Sequence, residues 1–213
     1  MPMPDHYFTA APQSAHRPAE VRFAYRGHAL RFATDSGVFS RTELDRGSEE
    51  LLAALPETLS GRVLDMGCGY GALGVAVGAA WPDCRVLMTD VNERAVALAR
   101  QNAADNGVRA EALASDGYAA LAGRTFDWIL TNPPIRAGKR VIYRMFADAA
   151  LALAPGGRML LVIRKQQGAE SAAGYLRGLY ARVEVLARKG GYHILCASEP
   201  LESPQANQQA TEK

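Results

Sequence analysis

The sequence predicts an α/β fold, a mostly parallel sheet covered by helices on both faces and preceded by a β-hairpin. Three observations predict it. From Arg62 onward short apolar runs alternate with longer amphipathic ones, the pattern of successive strand–helix units. The last two apolar runs, 183–187 and 193–197, are separated by only five residues, which is enough for an antiparallel hairpin but not for a crossover. Near the start, residues 21–25 and 30–32 alternate apolar with polar or small side chains around Arg26-Gly27-His28, a turn.

Taken in order, residues 1–20 are rich in Pro, Ala and His, have no periodicity, and read as an extended arm, either laid on the domain or mobile. The hairpin follows. Ser48 then caps a helix whose first turn holds Glu49 and Glu50, favourable at the positive end of the dipole, and which ends before Pro56 and Gly61. Strands are expected at 62–66, 85–89, 110–114, 128–131 and 158–163. Asn92 caps a helix that stops at Asn106-Gly107, and another runs over 140–154 until Pro155-Gly156-Gly157 ends it. This divides the chain into an arm and hairpin (1–47), one main domain (48–200) and a polar tail (201–213), disordered from 203.

A chain of 213 residues that is 48% hydrophobic has room for one full-sized core. The opening Met1-Pro2-Met3-Pro4 lacks a basic segment followed by an apolar stretch, and no apolar run could span a bilayer, so a soluble cytoplasmic protein without membrane contact is expected. Three widely spaced cysteines, Cys68, Cys84 and Cys196, argue against a disulfide framework, and the four histidines never take metal-ligand spacing, so no metal is expected. The net charge of +2 hides an asymmetry: between 134 and 198 there are eleven Lys and Arg against three Asp and Glu. A solvated helix face would account for this, and so would a surface facing phosphates.

Asp65-Met66-Gly67-Cys68-Gly69-Tyr70-Gly71 lies where the first strand of the alternation turns into a helix, where small residues admit a ligand close to the backbone. With Ala72 it also satisfies the dinucleotide fingerprint, and Asp90 after the second strand could hold the ribose of NAD or of S-adenosylmethionine; a purely structural turn is a third reading. Two neighbours favour S-adenosylmethionine. Asp65 stands where a carboxylate would meet the cofactor's amino group and repel a pyrophosphate, and Asp116-Gly117 brings a third acidic residue to the same sheet edge, suited to the adenine amine. Any one of these aspartates could instead be a helix cap.

Asn132-Pro133-Pro134-Ile135 follows the fourth strand of the alternation, beside the expected methyl group. An exocyclic amine conjugated to a ring is a poor nucleophile because its lone pair is delocalised. An Asn132 oxygen and a Pro133 carbonyl that accept its two N–H bonds would let the nitrogen turn its lone pair toward the methyl. Ile135 would lie against the ring face, and the prolines would hold the loop. Elsewhere in a chain Asn-Pro-Pro would be an ordinary rigid turn. No Gly-x-Ser-x-Gly elbow and no His-Glu-x-x-His pair points to a hydrolase.

These motifs resemble the RsmC-like "small" group of class I methyltransferases, which methylate guanine N2 in small-subunit ribosomal RNA. The matching stretches are His6-Tyr7-Phe8 with Pro12-Gln13-Ser14, Thr34-Asp35-Ser36-Gly37-Val38-Phe39-Ser40, the glycine motif, Asn132 to Lys139, and Arg164-Lys165-Gln166-Gln167-Gly168-Ala169-Glu170-Ser171. The resemblance implies a Rossmann-like sheet of seven strands in the order 3-2-1-4-5-7-6 with the last antiparallel. It also implies a gate around Phe39 at the cofactor site, and ribosomal RNA or a ribosomal subunit as partner; the sequence leaves the oligomeric state open, with a monomer favoured. It is to the single-domain branch, without the degenerate half that precedes the catalytic half in two-domain members. Arg136, Lys139, Arg140, Arg164 and Lys165, at the substrate end of the sheet, would contact phosphates in its place. Asn-Pro-Pro also serves glutamine amides, so a protein glutamine methyltransferase is the alternative. A non-catalytic cofactor-binding scaffold and a nicotinamide-dependent dehydrogenase are the more distant ones.

Overall fold

A computed structural model describes residues 14–202; the tail expected from 203, and most of the arm, lie outside the described residues. The hairpin is formed by β1 (Ala19–Tyr25) and β2 (His28–Thr34), with Arg26 and Gly27 both at positive φ in its turn, the backbone that a tight two-residue connection requires. Phe23 and Phe32 stack across it with ring centroids 5.0 Å apart. A two-stranded ribbon is marginal alone. This one is anchored by helix α3 (Glu93–Asp105), whose Asn102 accepts from Ala33 N at 2.7 Å and donates to Ala33 O at 2.9 Å. Asn106, just past the helix, does the same for Arg31. Two side-chain amides thus complete the open edge of β2.

The main sheet contains β3 (Arg62–Met66), β4 (Arg85–Asp90), β5 (Ala110–Ala114), β6 (Phe126–Thr131), β7 (Leu153–Arg164), β8 (Tyr180–Lys189) and β9 (Tyr192–Pro200), in the order β5-β4-β3-β6-β7-β9-β8. Counted from β3 this is 3-2-1-4-5-7-6. Only β9 runs against the direction of the other six strands. Strands buried on both faces must be apolar throughout, as Val63, Leu64, Ile129, Leu130, Leu160 and Leu161 are. Helices α1 (Arg46–Ala53), α2 (Ala72–Ala80) and α3, with the hairpin, cover one face; α4 (Lys139–Ala152) and α5 (Ala169–Leu176) cover the other.

Three local expectations are corrected. Helix α1 is capped by Asp45, whose Oδ2 accepts from Ser48 N at 3.1 Å, so Ser48 lies within the first turn. A carboxylate three residues earlier takes the amide that the serine was expected to serve. Pro155-Gly156-Gly157 does not separate helix from strand: α4 ends at Ala152, and these residues form an irregular start to β7, where the register against β6 shifts. The final hairpin is longer than expected and turns on Gly190-Gly191, both at positive φ. The sequence reading did not place α5, which is alanine-rich and starts from Gly168 without a side-chain cap.

Helix α2 approaches β4 closely enough that a Cβ on Gly74 would lie 2.5 Å from Met88 Cγ and 3.2 Å from Asp65 Oδ2. Gly74→Ala would gain about 1 kcal/mol of helix propensity. Met88 is fully buried and has nowhere to move, so overpacking of roughly 1–3 kcal/mol outweighs that gain. The variant is therefore expected to melt below the parent in a thermal unfolding experiment.

Candidate active site

The carboxyl ends of β3, β4 and β6, with the segment after β5, open onto a cavity of about 540 Å³, large enough for a nucleoside-sized ligand. Gly67, Gly69, Asp90, Val91, Ser115, Asp116 and Gly117 form one part of its wall. Asn132, Pro133, Pro134, Ala137 and Arg140 form another, and Val38 and Phe39 border it from the loop after β2. Gly67, Gly69 and Gly117 all have positive φ, and a Cβ on any of them would point into open space. There the backbone itself is the wall.

Gly71 is different. It starts α2 at φ +89, and a Cβ would lie 3.1 Å from Ala99 and from Met88 Sδ, so it is a packing glycine rather than a ligand-facing one. Cys68 is buried and outside the cavity wall, its thiol pushed up by burial, so it too is corrected to a structural position. Asp65 lies fully buried beneath the loop. Its Oδ2 accepts from Gly74 N at 2.8 Å, and its Oδ1 has no hydrogen-bond partner. Burial, and secondarily the nearby Asp90, push its carboxyl up to about 7. Asp90 reaches the cavity while accepting from Gly69 N and Asn92 N, each at 2.9 Å. Its pKa is raised, chiefly by burial.

These features fit S-adenosylmethionine. Asp65 does not itself line the cavity, and its orphaned oxygen, buried behind the glycine loop, suits an ordered water or an ammonium proton that reaches it there; Asp90 retains lone pairs for ribose hydroxyls, and Asp116 is exposed to the cavity beyond it.

Asn132 is held from behind. Its Nδ2 donates to Asp45 Oδ2 at 2.8 Å and to Ser48 Oγ at 3.0 Å, and among the described residues nothing donates to its Oδ1. The Pro134 carbonyl accepts from Ala137 N at 2.8 Å, closing a 3-10 turn over Ile135–Ala137, whereas the Pro133 carbonyl makes no such turn contact. Ile135 was expected against a ring face and is corrected: it is half-buried against the α4–α5 core and does not line the cavity.

Of the five basic residues singled out in the sequence, Arg140 lines the cavity. Arg136, Lys139 and Lys165 are exposed outside it, and the Arg164 guanidinium sits 4.7 Å from the Tyr192 ring centroid and donates to its hydroxyl. The sequence reading missed Val141, Arg144, Met145 and Asp148, which share one face of α4 and line the cavity. The i, i+4 pairing of Arg144 with Asp148, 3.6 Å apart, was a signal available in the sequence. Val38 was signalled only as the neighbour of Phe39 in the expected gate, and Ser115 had no signal of its own.

The family model for the methyltransferase small domain matches residues 29–196. An uncharacterised protein of Bacillus subtilis, YbxB, is 40% identical over 200 residues, covering 92% of this chain and all of that one. The chain belongs to the methyltransferase small domain family. As a member it is a methyltransferase of the S-adenosylmethionine-dependent class, which excludes the dehydrogenase reading. The ribosomal RNA small subunit methyltransferase C of Pasteurella multocida is 36% identical over 137 residues, 62% of this chain and 42% of that enzyme. A structure of a T. thermophilus 16S rRNA N2 methyltransferase, RsmC, in complex with AdoMet and guanosine matches with a TM-score of 0.77 at 29% identity, over 87% of this chain and 51% of that one. This small-domain methyltransferase thus spans about half the length, or less, of the named RNA-modifying relatives it matches. Among the described residues no helix is long and apolar enough to cross a membrane, and no group of three or more His, Cys, Asp or Glu is placed to hold a metal ion.

Proposed function

We propose that the protein methylates an exocyclic amine of RNA, guanine N2 in small-subunit ribosomal RNA. One observation carries the reading: in the cavity that bears the cofactor residues, Asn132 presents an unengaged Oδ1 next to the uncommitted carbonyl of Pro133. These two acceptors match the two N–H bonds of a planar amine. The cofactor supplies an electrophilic sulfonium methyl. Held by both acceptors, the amine nitrogen pyramidalises and directs its lone pair along the line of transfer, and the positive charge developing on it is stabilised by the same two oxygens. No general base is needed before the methyl moves, because the proton leaves a cationic product.

The acceptor is inferred from the guanosine-bound relative, from the rRNA methyltransferases among the matches, and from the exposed Arg136 and Lys139 beside the Arg140 that enters the cavity. A paired guanine must be unstacked to reach Asn132. Labelled S-adenosylmethionine supplied with ribosomal RNA, small subunits and total protein tests the reading. Label is expected in RNA; label confined to protein glutamine would overturn it. Replacing Arg136 and Lys139 by Ala should weaken RNA binding and flatten its log–log salt dependence by about 0.7–0.9 for each phosphate no longer neutralised. An unchanged slope would argue for a protein acceptor.

A further inference from the structure

We infer that Asp45 and Ser48, at the start of α1, are positioning residues that hold the Asn132 amide in its working orientation. The inference rests on the reading of Asn132 given above. An asparagine amide has two nearly isosteric ends, and only the oxygen end can accept from a substrate amine. A carboxylate only accepts, so Asp45 Oδ2 at 2.8 Å forces the NH2 end of Asn132 toward α1, and Ser48 Oγ at 3.0 Å takes its second proton. Flipping the amide would set Oδ1 against a carboxylate that has no proton to give and forfeit that bond; Ser48 Oγ, which can donate or accept, does not by itself choose the orientation. The cavity is left with the oxygen.

The bond to a charged group also polarises the amide, making Oδ1 a stronger acceptor when charge develops on the substrate nitrogen. The same Asp45 oxygen accepts Ser48 N and caps α1, where the helix dipole favours its negative charge, so the anchor is itself fixed. Gly47 keeps the space open. A Cβ there would come 2.8 Å from Asp45 Oδ2, 3.1 Å from the Tyr192 ring and 3.4 Å from Asn132 Nδ2. Thus three residues 84 to 87 positions from Asn132 in sequence, on a helix of the opposite layer, set the direction of its side chain.

The test is single-turnover methyl transfer to small ribosomal subunits from cells lacking the protein, with cofactor affinity and Tm measured in parallel. Asp45→Ala is expected to slow transfer by roughly 10–100-fold, the loss of one charge-assisted hydrogen bond. Ser48→Ala, which keeps the cap, should slow it by about 2–10-fold. Asp45→Asn, which can still accept from both donors, should restore most of the rate lost in Asp45→Ala. Cofactor affinity should not change. In the Asn132→Ala background, Asp45→Ala should cost no further rate; a residue that only capped α1 would lower Tm without this non-additivity. Should Asp45→Ala fail to fold, Ser48→Ala and Gly47→Ala carry the test. Parental rates in Asp45→Ala or Ser48→Ala, with Asn132→Ala slow, would overturn this inference alone. A parental rate in Asn132→Ala would overturn the reading beneath it as well.

Discussion

Asn132→Ala is expected to lower kcat by roughly 10²–10³-fold, the usual cost of removing one preorganised group that stabilises transition-state charge. KM for RNA and Kd for S-adenosylmethionine should stay close to parental, because the amide belongs to neither the cofactor wall nor the basic surface. The side chain is half-buried, so its loss leaves little cavity and the Tm should change little. What remains would be catalysis by proximity alone. Asn132→Asp is expected to be at least as damaging, since it sets a second carboxylate at the position now 2.8 Å from Asp45 Oδ2. One of the pair would have to stay protonated, and the tether would reorganise. Rapid-quench measurement of the chemical step, beside equilibrium binding of each substrate, separates these effects; a large rise in KM with unchanged kcat would contradict the assignment.

The second large effect is expected at Asp65. With its carboxyl raised from 3.8 to about 7 in the folded protein, ionisation costs the native state roughly 4 kcal/mol. The sign follows from proton counting. Below about pH 4 both folded and unfolded chains hold the proton and no penalty exists. Between pH 4 and about 7 the unfolded chain releases it while the folded one retains it, so stability falls as pH rises; above 7 the full cost persists. Asp65→Asn keeps an acceptor for Gly74 N and carries no charge. Its Tm without cofactor should match the parent near pH 4 and exceed it increasingly up to pH 8. Cofactor affinity should move the other way, weakened about 10–100-fold by loss of a charge-assisted bond to the amino group. In the parent that affinity should decline as pH drops below 7. Buried charge kept at a cost in stability is what a binding site requires. Equal Tm values at pH 8 together with undiminished affinity would contradict this account of Asp65.

The strand alternation, the Gly67–Gly69 turn and the Asn132 loop were legible because each depends on local chemistry: apolar runs set by two-sided burial, glycines set by positive φ, prolines set by a fixed bend. Pairings between distant residues were not. Asp45 reads locally as one more polar residue before a helix, and its bond to Asn132 exists only once β6 pairs with β7 and α1 packs against β7 and β9. Ser48 is a favoured cap residue by type, but the carboxylate three residues earlier accepts the Ser48 amide itself. Gly71 and Cys68 were grouped with the ligand-facing residues because a motif does not say which of its members face inward; Gly71 meets Ala99 and Met88 instead. Ile135 was placed at the cavity by adjacency to Pro134, yet the 3-10 turn rotates it into the opposite core. Helix α5 escaped because its alanines give little amphipathic contrast and its start has only a glycine.

The central claim is tested most directly by mass-spectrometric mapping of small-subunit ribosomal RNA from cells with the protein, without it, and with Asn132→Ala in its place. The account predicts one N2-methylguanosine that is present with the protein and absent in the other two. An RNA modification pattern identical in all three, with methylglutamine lost from a protein instead, would contradict it.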